Sequence, residues 1–274
     1  MTKKLKIGIV GCGAIGGSLA KAIVDDFAKQ AELVALYDKI PSKAENLSKR
    51  FSKKKNLVVR DLEELISKAE LVIEAASAKC SWEIARQVLA KKRNIMIMSV
   101  GGVINRFKEL KSLAGKNNSK VYIPSGAVCG IDALKAASLK KIKKVLLTTR
   151  KNPFSFKGNE YLASKGIDLS KIKKDTVLFQ GSAKEAVKLF PQNINVASVL
   201  SIAGIGENKT QVRIIACPSV SKNIHEVTID SEAATIFTRA ENVLHPLNPK
   251  TSFLAALSAI AVLKQILEPV KIGT

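Results

Sequence analysis

Aromatic residues, histidines, cysteines and acids are all scarce in this chain, and each shortage excludes something. Of 274 residues only 13 are aromatic, nine Phe, three Tyr and one Trp, too few for the stacking platforms on which single-stranded nucleic acids are held. The two histidines and four cysteines, Cys12, Cys80, Cys129 and Cys217, contain no CxxC pair, so neither a zinc cluster nor a disulfide framework is expected. Each cysteine reads as a small buried hydrophobe. No apolar run approaches the ~18 residues that span a bilayer. The longest, Phe253 to Leu263, is broken by Ser258. Lys3 and Lys4 ahead of an apolar stretch resemble the start of a signal peptide, but the glycine turn that follows argues against one, and a cytoplasmic protein is expected. Acids are outnumbered 23 to 45 by Lys and Arg, a formal charge of +22. The lysine runs at 53–55, 140–144 and 171–174 are dispersed and lack interleaved aromatics, which fits a solvated surface and an anionic substrate better than a specific nucleic-acid or membrane interface.

What is present is a strand, a glycine turn and a helix at the amino terminus. Lys4 to Val10 is a short β-branched run, and Gly11-x-Gly13-x-x-Gly16 follows at once. In that spacing one glycine makes the turn, one lets the backbone approach a pyrophosphate, and one lets helix and strand pack closely. The diphosphate then sits on the free N–H groups of a helix starting near Ala14 and Ile15, where the dipole favours an anion. A second strand, Glu32 to Tyr37, ends in Asp38, 22 residues beyond Gly16 and near the ~20 at which a carboxylate meets the adenosine ribose. The acid favours NAD; Lys39, Ser42 and Lys43 beside it suit the 2′-phosphate of NADP, so both cofactors stay open.

The grammar continues as helix Pro41 to Phe51, a short strand Leu57 to Val59, an Asp61-capped helix Leu62 to Lys68, strand Glu70 to Ala75, helix Trp82 to Lys91 and strand Asn94 to Met98. Such alternation predicts a doubly wound parallel sheet over residues 1–122, with Ala76-Ser77 and Ser99-Val100-Gly101 at the carboxyl edge where ligands of such sheets bind. From Val121 the pattern changes. Helix Asp132 to Leu139, strands Val145 to Thr149, Thr210 to Cys217, Ile224 to Ile229 and Ala233 to Ala240, and helices Ala183 to Leu189 and from Asn195 predict an α+β domain over 123–250, with an antiparallel or mixed sheet. The helix Ser252 to Leu267 is apolar almost all round, predicting burial on more than one side and a return to the first domain, so that 251–274 rejoins it.

Candidate chemistry is sparse. His225 shares a strand face with Val227 and Ile229, as a core histidine bonded to a backbone carbonyl would, and as a general acid or base would. His245, before Pro246, reads as an exposed turn residue. Asn195 is a helix cap or a cofactor-binding carboxamide, and Asn248-Pro249-Lys250-Thr251-Ser252 reads as the first turn of the last helix, offering a cation, two hydroxyls and N–H groups to a carboxylate. Ser125-Gly126-Ala127 is a small-residue loop that lets backbone approach a nicotinamide.

These stretches taken in order resemble L-aspartate dehydrogenases: Gly11 to Gly16, Glu74-Ala75-Ala76-Ser77, Ser99-Val100-Gly101, Pro124-Ser125-Gly126-Ala127, Gly130 to Leu134, Phe190 to Ala197, Asn223-Ile224-His225 and Asn248 to Ser252. The resemblance implies a Rossmann-type domain with a second catalytic and dimerisation domain, and NAD- or NADP-linked deamination of L-aspartate to iminoaspartate, hence oxaloacetate and ammonia. It implies a homodimer supplying iminoaspartate for quinolinate formation in NAD biosynthesis. It carries catalysis onto His225 and nicotinamide-side contacts onto Ala127 and Asn195, beside Gly11, Gly13, Ala14, Ile15, Gly16, Asp38, Ala76 and Ser77 for the rest of the cofactor. Ser125, Lys250, Thr251 and Ser252 are the substrate candidates, and no metal is expected. Cys12 departs from the pattern and marks the cofactor loop as open to oxidation. The competing readings are another two-domain dehydrogenase, of homoserine, semialdehyde or dihydrodipicolinate type, and a dinucleotide-sensing nucleic-acid binder.

Overall fold

The computed structural model describes residues 3–51, 56–190 and 195–273, with Pro249 and Lys250 as backbone only. The chain forms two compact units, residues 1–124 with 256–272, and 125–255 with 273–274.

The first unit runs β1 (Leu5–Val10), α1 (Ala14–Asp25), β2 (Ala31–Tyr37), α2 (Pro41–Phe51), α3 (Leu62–Lys68), β3 (Leu71–Glu74), α4 (Ala78–Ala90), β4 (Asn94–Ile97), α5 (Phe107–Lys116) and β5 (Val121–Tyr122). Its five strands lie in the order β2-β1-β3-β4-β5 and every pair is parallel. Parallel strands buried on both faces carry unbroken apolar runs, and β3 is buried at all four positions. Sequence signals placed the helices accurately where a cap marks the start: Asp61 accepts the Glu64 amide at 2.8 Å, as a helix N-cap should. The expected strand at Leu57 to Val59 is reduced to a single bridge, Leu36 to Val58. The lysine run at 53–55 and Pro191, which was expected to stop a helix, lie outside the described residues.

The second unit contains α6 (Ile131–Ala137), β6 (Ile142–Lys151), α7 (Glu160–Ser164), β7 (Thr176–Ser182), α8 (Ala183–Leu189), α9 (Asn195–Ala203), β8 (Gln211–Ala216), β9 (Asn223–Ser231), β10 (Thr235–Asn242), β11 (Leu244–His245), β12 (Asn248–Ser252) and the start of α10 (Phe253–Leu267). Its sheet order is β10-β9-β6-β8-β7. The β6–β8 pair is parallel and the others antiparallel, so the sheet is mixed. One face is dry: Val145, Leu147, Val212, Ile214, Val227 and Ile229 pack there with Leu134, Phe190 and Leu200 from the helices. The other face of β6, β9 and β10 carries Arg150, Glu226 and Arg239 in ion pairs.

Two expectations about the carboxyl-terminal end are corrected. Asn248 to Ser252 is not the first turn of a helix but strand β12, paired antiparallel with β11. Pro249 breaks no ladder a short hairpin needs, since proline is tolerated at strand edges. The helix starts at Phe253 and is not buried all round. Ala256, Ala259 and Leu263 form one buried stripe at helical spacing, whereas Leu254 and Leu257 are exposed. Ala259 and Leu263 belong to the core of the first unit, with Leu19, Ile23 and Phe27.

Candidate active site

Within the first unit the three glycines of the turn have three separate jobs. Gly11 has φ +95°, where L side chains are strained, and a Cβ on it would lie 2.4 Å from the Ala75 carbonyl oxygen. It therefore both turns the chain and lets β1 approach the end of β3. A Cβ on Gly16 would lie 2.0 Å from the Gly11 oxygen, so this glycine is required by the packing of α1 on the turn. A Cβ on Gly13 meets nothing within 4 Å. Gly13 is the N-cap of α1, without a side-chain cap, so no capping side chain takes the first-turn amides, the groups on which a helix receives an anion. The residues present thus suit the dinucleotide that the motif implies.

Asp38 sits at the end of β2 with its carboxylate locked between two amides. Cys12 N–H donates to Oδ2 at 2.8 Å and Ile40 N–H to Oδ1 at 2.9 Å. The carboxylate is thereby tied to the glycine turn itself. Cys12 is buried beside it, and burial, with the Asp38 charge adding, pushes its thiol up to about 12. A thiol so far from ionisation is inert, because the thiolate is the reactive species, so the expected oxidation sensitivity of this loop is withdrawn. Cys217 is also buried, but Cys80 is half-buried and Cys129 exposed, so the cysteines are not all core residues. No group of His, Cys, Asp and Glu able to hold a metal occurs among the described residues.

Ala76 and Ser77 are exposed at the end of β3, held by a buried acid that sequence reading quoted without giving it a task. Glu74 accepts the amides of Ala76 at 2.9 Å and Ser99 at 3.0 Å and the Ser81 hydroxyl at 3.2 Å. One carboxyl group thus joins the loops after β3 and β4, and burial raises its pKa above the ordinary 4.5.

Within the second unit, His225 is buried on the inner face of β9. Its partner is not a backbone carbonyl: Nδ1 lies 3.0 Å from Thr149 Oγ1, across the β6–β9 pair in which the two residues are register partners. Two residues further along β6, on the same face, is Lys151, also buried. Burial foremost, then the Lys151 charge, lowers the imidazole pKa from 6.5 to about 3, and burial lowers the Lys151 ammonium to about 8. The histidine is therefore neutral at physiological pH.

Around this pair a carboxamide network gathers other candidates. Asn242 Nδ2 donates to the carbonyls of Ala127 at 3.0 Å and Asn223 at 3.3 Å, and Asn223 Nδ2 donates to Ser252 Oγ at 3.3 Å. Ala127 and Ser252 are thus tied to the end of β9 that bears His225. Thr251 Oγ1 instead accepts from Asn248 Nδ2 at 3.1 Å. Ser125 is half-buried and stands outside this network, Asn195 is exposed at the first position of α9, and the Lys250 side chain lies outside the described residues. His245, expected to be exposed, is buried. Its Nδ1 accepts the Leu247 amide at 3.1 Å and its ring meets Phe253 edge to face at 5.3 Å, pinning the β11–β12 turn.

Thr149, Lys151 and Asn242 were missed by sequence reading. The signal for the first two was there: Val145, Leu147, Thr149 and Lys151 alternate on one face, but the strand was expected to end at Thr149, and a lysine is seldom assigned to a core face.

Two family models match successive parts of the chain. The family "Aspartate dehydrogenase, C-terminal" matches residues 132–266, and "Homoserine dehydrogenase, NAD binding domain" matches residues 11–124. The chain is 49% identical to L-aspartate dehydrogenase of Methanosarcina mazei, covering 98% of this chain and 100% of that one, and 48% identical to that of Methanosarcina barkeri with the same coverage. The crystal structure of aspartate dehydrogenase from Thermotoga maritima superimposes with a TM-score of 0.75 at 30% identity, over 99% of this chain and 100% of that one. A homoserine dehydrogenase from Thiobacillus denitrificans, at 14% identity and a TM-score of 0.62, shares the fold alone. Identity near one half along almost the whole length, with a glycine turn and a buried histidine built as described, establishes that the chain belongs to the L-aspartate dehydrogenase family.

Proposed function

We propose that the chain deaminates L-aspartate through His225, with NAD or NADP held on the turn from Gly11 to Gly16. Asp38 holds the adenosine ribose, and Ala76 and Ser77 line the carboxyl edge beside it. Ala127 and Asn195 meet the nicotinamide side, and Ser125, Lys250, Thr251 and Ser252 meet the substrate. When bound, the nicotinamide accepts the hydride that leaves the substrate Cα. The product imine, iminoaspartate, takes up water to give oxaloacetate and ammonia.

The observation that carries this reading is the neutral, buried imidazole of His225 with its ring fixed by Thr149. A neutral imidazole keeps a free lone pair, which favours the proton-accepting role over an imidazolium that binds a carboxylate. For Nε2 to be the accepting atom, Nδ1 must keep its proton and donate it to Thr149 Oγ1. Thr149 orients the ring in that tautomer, and Nε2 takes a proton from the substrate ammonium or from the water that attacks the imine. His225→Ala should lower kcat by at least ~100-fold, the usual worth of a general base, with NAD affinity within twofold of wild type by fluorescence titration. An unchanged kcat removes His225 from the chemistry.

The homodimer is supported by exposed apolar side chains in the second unit, among them Phe237 on edge strand β10, and Val243 and Leu247 beside it. Sedimentation should give twice the mass of 29.5 kDa. Four free thiols suit a reducing compartment, consistent with the cytoplasm. No helix among the described residues is long and apolar enough to cross a membrane. Supply of iminoaspartate for pyridine-nucleotide synthesis is the place in metabolism that this activity fits.

A further inference from the structure

The substrate proposed above is a dicarboxylate, and a dicarboxylate entering a buried site needs a cation there. The neutral network of Asn242, Asn223 and Ser252 supplies none, the His225 ring is uncharged, and of the residues proposed above to meet the substrate only Lys250 is a cation, which leaves one of the two carboxylates unanswered. Lys151 is on the same inward face of β6 as Thr149, whose hydroxyl meets the His225 ring. It is 6% exposed, an unusual depth for a lysine.

Other charged side chains of β6, β9 and β10 near this point turn the other way. Arg150 pairs with Glu226 at 3.3 Å and with Asp175 at 2.9 Å, and Arg239 pairs with Glu226 and Glu241, all on the opposite face. Asp230, on the same side of β9 as Glu226, shares that face. Arg150 follows Thr149 and precedes Lys151, so strand alternation separates the structural cation from the inward one.

We propose that Lys151 is a substrate-binding residue, its buried ammonium receiving one carboxylate of L-aspartate beside His225. This rests on the activity proposed above. The arrangement has a consequence for the base. A carboxylate docked on Lys151 neutralises the cation that depresses the imidazole, so the basicity of His225 rises when substrate is in place and is low when it is not. The proton acceptor is thus tuned by the substrate's own charge.

The test uses the full-length protein and compares wild type with Lys151→Met, which keeps the length of the side chain and removes the charge. Thermal unfolding followed by circular dichroism reports whether the variant is folded, and Lys151→Gln replaces it if Lys151→Met does not unfold as wild type does. Steady-state kinetics on L-aspartate, with succinate as a competing dicarboxylate, then separate KM from kcat. The expected result is a KM for L-aspartate and a Ki for succinate both raised at least thirtyfold, NAD affinity within twofold of wild type, and the acidic limb of the kcat/KM profile displaced upward. A KM and a Ki within threefold of wild type, in a variant that binds NAD normally, overturn the proposal. If wild-type protein turns over L-aspartate, that outcome strikes Lys151 alone; if wild type has no turnover, it is the activity itself that falls.

Discussion

A methyl group tests the three glycines of the turn one at a time. Gly13→Ala adds a Cβ where the protein has no atom within 4 Å, so unfolding of the cofactor-free chain should change by less than ~0.5 kcal/mol while NAD affinity falls at least tenfold. Gly16→Ala places its Cβ 2.0 Å from the Gly11 oxygen and should destabilise the chain by ~1–3 kcal/mol even without cofactor, as overpacking does. Urea titrations with and without NAD separate the two. Wild-type NAD affinity in Gly13→Ala would mean the diphosphate lies elsewhere. Asp38→Ala is the companion test: loss of a ribose-binding carboxylate should cost NAD about tenfold, ~1.4 kcal/mol, and NADP less. Equal losses would assign Asp38 to the turn alone, where it already holds the Cys12 amide.

At the level of strands and helices, the ends of elements matter more than their middles. Glu74 closes β3 and holds the loops after β3 and β4 with one carboxyl group. Its folded pKa is raised by burial, so the folded state binds its proton more tightly than the unfolded chain does. The stability this contributes is complete below the ordinary 4.5 and is lost as pH rises through the folded value. Relative to Glu74→Gln, the wild type should therefore lose unfolding free energy from pH 4.5 upward, by urea denaturation at several pH values. A constant difference would show that Glu74 does not titrate in this range. The helix α10 is read the same way. Its stripe of Ala256, Ala259 and Leu263 is fully buried, and Leu263→Ala should destabilise the first unit by ~2–5 kcal/mol, the range for a leucine core truncation.

For the molecule as a whole, the charge of +22 is a statement about encounter rather than fold. An anionic dicarboxylate should be drawn to it, so kcat/KM for L-aspartate is expected to fall between ~10 mM and ~150 mM salt, as the Debye length shrinks from ~30 Å to ~8 Å, with kcat unchanged. Stopped or steady-state assays at constant pH check this, and a salt-independent kcat/KM would confine the charge to a solvated surface.

Patterns local in the chain were legible without coordinates. The glycine spacing, Asp38 at the end of β2, the Asp61 cap and the alternation of strands and helices each depend on neighbours within a few residues or on one supersecondary unit, where backbone sterics and hydrogen bonding dictate the outcome. Hydrophobic alternation likewise placed His225 on the inner face. What a side chain meets there depends on strand register across long sequence separations. Thr149 opposite His225, Lys151 turned inward, Asn242 reaching Ala127 and His245 buried under Phe253 follow from pairing that no local pattern specifies. Pairing of β6 with β9 and of β11 with β12 fixes which polar groups leave water together. The electrostatics of the site follow from that burial: desolvation, set by the folded surroundings and not by residue type, makes the histidine neutral and the lysine weakly basic.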